Sequence, residues 1–290
     1  MKKLFFCLSV LGMILTGCNK KDDGESNKPN NNGNEQPENP NEPELPELPA
    51  LPDPDDVCSA MDDLDFMAYC YEKFDINKDG KVSVSEANAV RDITIRNSKI
   101  QSLKGIERFP NLESLSYTKS LIETVNLQYN LNLTSIIFSN NENLKNILFP
   151  SSLKTIESYA FQGCTSLTEI NFPTNLTSIE ERAFTGCSSL IEINFPANLT
   201  SIERSTFDGC NSLTKINLPA SLTSIGERAF DGCSRLAKIN FPASLTSIGE
   251  YAFSQCKSLT QINFPTTSNL TSIKEFAFSN CSSLISINFP

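Results

Sequence analysis

Residues 167–187 read Leu167-Thr168-Glu169-Ile170-Asn171-Phe172-Pro173-Thr174-Asn175-Leu176-Thr177-Ser178-Ile179-Glu180-Glu181-Arg182-Ala183-Phe184-Thr185-Gly186-Cys187, and the pattern restarts at Leu190. A Phe-Pro or Leu-Pro step closes each unit at Pro150, Pro173, Pro196, Pro219, Pro242, Pro265 and Pro290. The interval is 23 residues five times and then 25, with the extra pair in Thr266-Thr267-Ser268. Phe161, Phe184, Phe207, Phe230, Phe253 and Phe278 recur in step, each followed three residues later by a cysteine, Cys164 to Cys281. A period in the twenties means a solenoid, because one such unit cannot bury its apolar face alone and must stack on its neighbours.

Within the unit, Leu167-x-x-Ile170-x-Phe172-x-x-Asn175 matches the leucine-rich-repeat core, with Asn198, Ser221 and Ser244 at the closing position of later units. Leu176-x-x-Ile179 forms a second turn that feeds the Ala183-Phe184 corner and the Gly186-Cys187 return. Residues 151–290 resemble the BspA-like (Treponema pallidum-type) leucine-rich repeats of bacterial surface proteins. The resemblance implies a β-rich leucine-rich-repeat solenoid with a short strand per 23-residue rung. Residues 93–150 are less regular: Leu112, Ile122, Leu133 and Leu144 open related cores 10 or 11 residues apart, two half-turns to a shorter coil.

In each rung Ile and Phe should face inward, and the residues flanking Ile should point to a concave outer face. One column of that candidate ligand face is Glu169, Glu192, Lys215, Lys238, Gln261 and Ser286. The other is Asn171, Asn194, Asn217, Asn240, Asn263 and Asn288. Stacked amides about 4.8 Å apart hydrogen-bond along a ladder, so the second column has a structural explanation of its own. The repeat cysteines lack any Cys-x-x-Cys pairing and read as a buried ladder of small apolar groups. The Asn-Leu-Thr sequons at Asn132, Asn175, Asn198 and Asn269 are by-products of the repeat.

Before the repeats, residues 75–86 read Asp-Ile-Asn-Lys-Asp-Gly-Lys-Val-Ser-Val-Ser-Glu. Asp75, Asn77, Asp79, Lys81 through its carbonyl, Ser83 and Glu86 occupy the ligand offsets of an EF-hand calcium loop, with Gly80 at the sharp turn. Helical spacing of Leu64, Met67, Ala68, Tyr71 and Phe74 predicts an entering helix over 62–74, and 85–92 an exiting one. Three anionic ligands, opposed by Lys78 and Lys81, predict weak structural binding of Ca²⁺ with a Kd of about 0.1–1 mM. Cys58 and Cys70 are candidates for a disulfide stapling this unit. Residues 100–109, IQSLKGIERF, resemble the segment joining an EF-hand to such repeats in Bacteroidetes surface lipoproteins. The EF-hand-like unit, residues 58–92, is therefore expected to cap the solenoid.

The chain starts with Met1-Lys2-Lys3 and an apolar run to Leu15, too short for a membrane span and suited to an export signal over 1–17. Leu15-Thr16-Gly17-Cys18 resembles the bacterial lipobox, which implies acylation of Cys18 and a membrane anchor. The following Lys20-Lys21-Asp22-Asp23 resembles the surface-export signal of Bacteroidetes lipoproteins. Residues 18–57, rich in Pro, Asn and Glu, are expected to form a disordered tether.

The chain carries a net charge of −10 with no histidine and no tryptophan. The repeats are close to neutral, which argues against nucleic-acid binding. Without histidine, Ser-His-Asp and Cys-His catalysis are excluded. A polysaccharide-processing role would need Glu169 and Glu192, on neighbouring rungs about 5 Å apart, to act as a retaining pair. A flat ladder gives neither carboxyl a pocket. The expectation is a non-enzymatic, outer-membrane, surface-displayed protein that binds an extracellular protein or glycan. A passive surface scaffold is the other non-enzymatic reading. Because no polar capping repeat follows the final strand, residues 285–289, self-association through the last rung, residues 266–290, is also expected.

Overall fold

The computed structural model describes residues 45–287. The expected signal peptide, Cys18, the tether up to residue 44, and Asn288 lie outside the described residues. Two short helices come first, α1 (Leu64–Phe74) and α2 (Val84–Ala89). The Asp63 carboxylate caps α1 by accepting from the N–H groups of Asp65 and Phe66. A reciprocal Ser83–Glu86 capping box starts α2, which ends at Ala89 rather than running to 92. The reason is that Asp92 already begins the first strand.

Sixteen strands follow among the described residues. The first five are β1 (Asp92–Arg96), β2 (Ser114–Thr118), β3 (Thr124–Asn126), β4 (Ser135–Ile137) and β5 (Asn146–Leu148). From there each rung contributes two strands: β6 (Thr155–Ile156), then β7 (Glu169–Asn171) with β8 (Ser178–Ile179), β9 (Glu192–Asn194) with β10 (Ser201–Ile202), and β11 (Lys215–Asn217) with β12 (Ser224–Ile225). The last are β13 (Lys238–Asn240), β14 (Ser247–Ile248), β15 (Gln261–Asn263) and β16 (Ser272–Ile273). All pairing is parallel and in register, one rung to the next. The odd strands from β3 to β11 form one sheet, and β13 pairs with β15 beyond a break. The Ser-Ile strands build a second ladder, β10-β12-β14-β16. The repeat core predicts the first strand of each rung; the Leu-x-x-Ile turn also pairs, its Ser N–H donating one rung back, as Ser178 does to Lys154, and its Ile carbonyl accepting from one rung on, as Ile156 does from Glu180. In the irregular region β2 pairs with β4 and β3 with β5, so half-turns about 21 residues apart in sequence stack alternately.

Inside, Phe161, Phe184, Phe207, Phe230, Phe253 and Phe278 stack face to face at 5.2–5.5 Å. Phe172, Phe195 and Phe241 meet that column edge-on. Such pairs contribute about 0.5–1.5 kcal/mol each beyond burial. Beside them, the Cys187 thiol donates to the carbonyl of Phe161 at 3.2 Å, and the other repeat cysteines bond equivalently one rung back. Asn141 takes this position before Cys164, its amide donating to the carbonyls of Tyr117 and Phe138. Burial pushes the Cys164 thiol up to about 12 and the Cys187, Cys233 and Cys256 thiols well above their ordinary value.

The helical unit is fastened to the first rung. Phe74 packs on Phe109 with centroids 5.5 Å apart, and the second Asp63 oxygen accepts from the N–H groups of Gln101 and Ser102. Residues 49–57, assigned to the tether from composition, also lie against the folded part. The Arg108 guanidinium donates to the carbonyl of Pro49. The buried Asp56 carboxylate takes N–H bonds from Cys58 and Val82 and the Tyr71 hydroxyl at 2.7 Å. Composition hid this, because one buried carboxylate rather than an apolar run holds the segment.

Candidate binding face and candidate metal loop

The residues flanking Ile in β7 to β15 point outward while the Ile side chains are buried. Glu169, Glu192, Lys215, Lys238 and Gln261 thus form one outer column, and Asn171, Asn194, Asn217, Asn240 and Asn263 the next. The Lys215 ammonium meets the Glu192 carboxylate at 2.6 Å, which holds Glu192 below the usual carboxylate range. Ionised in this way, Glu192 is a poor general acid. The side chains of Glu169 and Lys238 have neither an ion-pair nor a hydrogen-bond partner among the described residues. Along the amide column Asn217 donates to Asn194 at 2.5 Å and Asn263 to Asn240 at 2.6 Å. It is interrupted where β11 and β13 part. Ile191, beside Glu192, is 51% exposed, an apolar residue in a polar face. Its signal in the repeats is the Thr168-Ile191-Thr214-Ala237-Thr260 column, where one isoleucine stands among threonine and alanine.

The 75–86 loop lies between α1 and α2. Lys78 and Gly80 adopt left-handed backbone, φ 59° and 86°, which turns successive N–H groups toward the loop's own side chains. Asp75 accepts from the N–H groups of Asp79 and Gly80, Asn77 from Asp79, and Asp79 from Lys81. Glu86 accepts from the N–H groups of Ile76 and Asn77 through one oxygen and from Ser83 through the other. The Ser83 bonds hold it below its usual range. The Lys81 ammonium turns away to Asp53 at 3.0 Å, so its charge does not oppose the loop interior. The donor chemistry and the loop backbone suit a hard cation. The carboxylates themselves are spread over these N–H groups. Among the described residues no three acidic, cysteine or histidine side chains converge as a metal cluster.

Cys58 and Cys70 are both buried and free, their thiols in hydrogen-bond contact rather than joined. That contact, with burial, pushes the Cys70 thiol far above its ordinary value. No helix among the described residues is long and apolar enough to cross a membrane.

The family description "BspA type Leucine rich repeat region" matches in six copies, over residues 83–191, 110–214 and 202–290. No curated protein matches the chain. Among solved structures, a leucine-rich cell surface protein of Faecalibacterium prausnitzii is 31% identical, with a TM-score of 0.38. The match covers 55% of this chain and 39% of that one, so the chain spans well under half of that protein's length. The Treponema pallidum leucine-rich-repeat protein is 28% identical with a TM-score of 0.48, covering 59% of this chain and 78% of its own. A leucine-rich-repeat protein of Bacteroides ovatus is 22% identical with a TM-score of 0.34, covering 70% and 68%.

Proposed function

The chain belongs to the BspA-type leucine-rich-repeat family, and on that premise we propose that it is a surface-displayed, lipid-anchored adhesion protein that engages an extracellular protein or glycan through the strand face of β7 to β15. The observation that carries this reading is the outer face itself: unpaired Glu169 and Lys238, a half-exposed Ile191 and a column of amides project from a rigid backbone ladder. A binding surface needs an apolar anchor within polar groups that fix orientation, and rigid display lowers the ordering cost on association. An enzymatic reading is disfavoured because Glu169 and Glu192 project from an open strand face that encloses neither carboxyl. Acylated Cys18 would hold the chain at the outer membrane. Ca²⁺ bound by Asp75, Asn77, Asp79, the Lys81 carbonyl, Ser83 and Glu86 would stiffen the joint between tether and repeats.

The test presents the full chain to an array of matrix proteins, mucins and glycans beside the variant Ile191→Ser/Lys215→Ala. A ligand bound by the parent and weakened at least tenfold in the variant supports the face, tenfold being about 1.4 kcal/mol. Equal binding by both proteins would move the site elsewhere.

A further inference from the structure

Along the outer column the charges are segregated, not alternating. Glu169 lies in register beside Glu192, and Lys215 precedes Lys238. Directly opposed like charges on neighbouring strands are destabilising, and strict alternation would relieve both contacts within one chain. Only the central Glu192–Lys215 step is paired, which leaves an unpaired acid on one side and an unpaired base on the other. The ladder breaks beside the two lysines, between β11 and β13.

Read in rung order the column is Asn146, Glu169, Glu192, Lys215, Lys238, Gln261. Reversing that order exchanges acid for base and amide for amide. We propose that this face pairs with the same face of a second copy of the chain, the two solenoids antiparallel about a two-fold axis along the strand direction. That axis runs between β9 and β11. Each residue then meets a complementary one: Glu169 of one copy opposes Lys238 of the other, Glu192 opposes Lys215, and Asn146 opposes Gln261. The neighbouring columns keep their places in this arrangement. Asn194 meets Asn217 and Asn171 meets Asn240, each amide offering both donor and acceptor, while Asn263 meets Leu148 and Ile191 meets Thr214. A two-fold axis along the solenoid would instead set Glu169 on Glu169 or, shifted between the columns, on Asn171, and in neither case on a lysine, so the charges select the antiparallel mode.

With rungs about 4.8 Å apart, each face offers roughly 300–400 Å², below the ~800 Å² per partner of a standard stable interface. The pair is therefore weak in solution and gains from many copies meeting at once. Antiparallel pairing sets the N-terminal ends of the two solenoids at opposite ends of the contact. That suits copies carried on two facing surfaces.

The inference rests on the strand face being a contact surface, as proposed above, and names its partner. Its test is sedimentation velocity of the full chain, followed up to about 1 mM, the range suited to a small transient interface. The parent should associate, and 0.5 M salt should weaken the association as screening of surface charges requires. Glu169→Lys sets Lys on Lys twice per pair and should weaken association at least tenfold, as should Lys238→Glu. An equimolar mixture of the two variants should associate as well as the parent, because each reversed residue then meets its opposite. A parent that stays monomeric overturns self-pairing. So does association that survives both single reversals, since it would use another surface, the last rung included. A foreign ligand that the Ile191→Ser/Lys215→Ala variant loses, found with a monomeric parent, would leave the binding face standing and remove only this partner.

Discussion

The backbone N–H of Val57 donates to the carbonyl of Val82 at 2.9 Å, joining the segment that leads in from the tether to the middle of the 75–86 loop. Val82 returns the contact through its own N–H, which donates to Asp56 at 3.1 Å. Both backbone groups of the loop's central residue are thereby satisfied by residues 56 and 57. Whatever stiffens the loop should also stiffen the attachment of the chain that precedes it.

Calcium is therefore expected to slow hydrogen exchange at Val57 and Val82 together and to raise the melting temperature of the helical unit. At 100 times the dissociation constant the stabilisation is about 2.7 kcal/mol. Glu86→Gln should abolish the calcium response, and because its single amide oxygen keeps either the Ser83 bonds or those from Ile76 and Asn77, the calcium-free variant should be slightly less stable than the parent. Calcium-dependent protection that persists in Glu86→Gln would place the ion elsewhere.

Asp63 should make the joint between α1 and the first rung acid-labile. Burial alone would raise its pKa, but the N–H groups of Gln101, Phe66, Ser102 and Asp65 outweigh burial and lower it. A lowered folded pKa means stability that is present above the unfolded value of 3.8 and is lost as pH falls through the folded value. Asp63→Ala should cost about 0.5–2 kcal/mol at pH 7, as the loss of an N-cap does. The difference between variant and parent should shrink as pH falls below 3.8. A pH-independent difference would mean that the carboxylate's charge plays no part.

The sequence made the rungs, their inward residues and the outer columns legible because each is a strict repeat of side-chain type. What it concealed depends on single residues outside the period. Asp56 anchors residues 49–57 where composition says tether, and Asn141 continues the cysteine ladder upward under another side chain. The 75–86 loop shows the opposite limit: its spacing was legible, yet which oxygens converge depends on rotamers that spacing does not specify.

The buried thiols should be inert in the folded protein. Cys187, Cys210 and Cys233 are fully buried, each donating to a phenylalanine carbonyl one rung back. Thiol alkylation should reach them only on global unfolding. Cys58 and Cys70, already in contact, should be the pair that joins under a thiol oxidant, protecting both from later alkylation. Rapid labelling of Cys210 in native protein would contradict the packing of the whole ladder.

Cys18→Ala should release the chain from membranes and abolish incorporation of labelled fatty acid, since acylation supplies about 0.8 kcal/mol of membrane affinity per buried methylene. Fatty acid incorporated by that variant at the parental level would place the anchor at another residue.

Two glycines that look alike in the repeat should respond in opposite ways. Gly232 has φ 73°, and the equivalent positions in the next two rungs are filled by Gln255 and Asn280 at φ 57° and 58°. A Cβ there would sit 3.7 Å from the Gly209 backbone, an ordinary contact, so Gly232→Asn should cost at most about 1 kcal/mol, the scale of a left-handed Asn. Gly249 occupies a position that other rungs fill with Glu180, Glu203 and Lys274. Repeat consensus therefore recommends Gly249→Glu as harmless. The structure argues otherwise, because a Cβ at 249 would lie 2.5 Å from the Gly226 carbonyl carbon and 2.6 Å from the Glu227 nitrogen. Those atoms belong to the backbone of the neighbouring rung and cannot rotate away. Gly249→Ala alone should cost about 1–3 kcal/mol by forcing the rungs apart, and Gly249→Glu at least as much. Thermal unfolding of the three variants beside the parent checks the order. A Gly249→Glu protein as stable as the parent would show that rungs 226 and 249 separate freely.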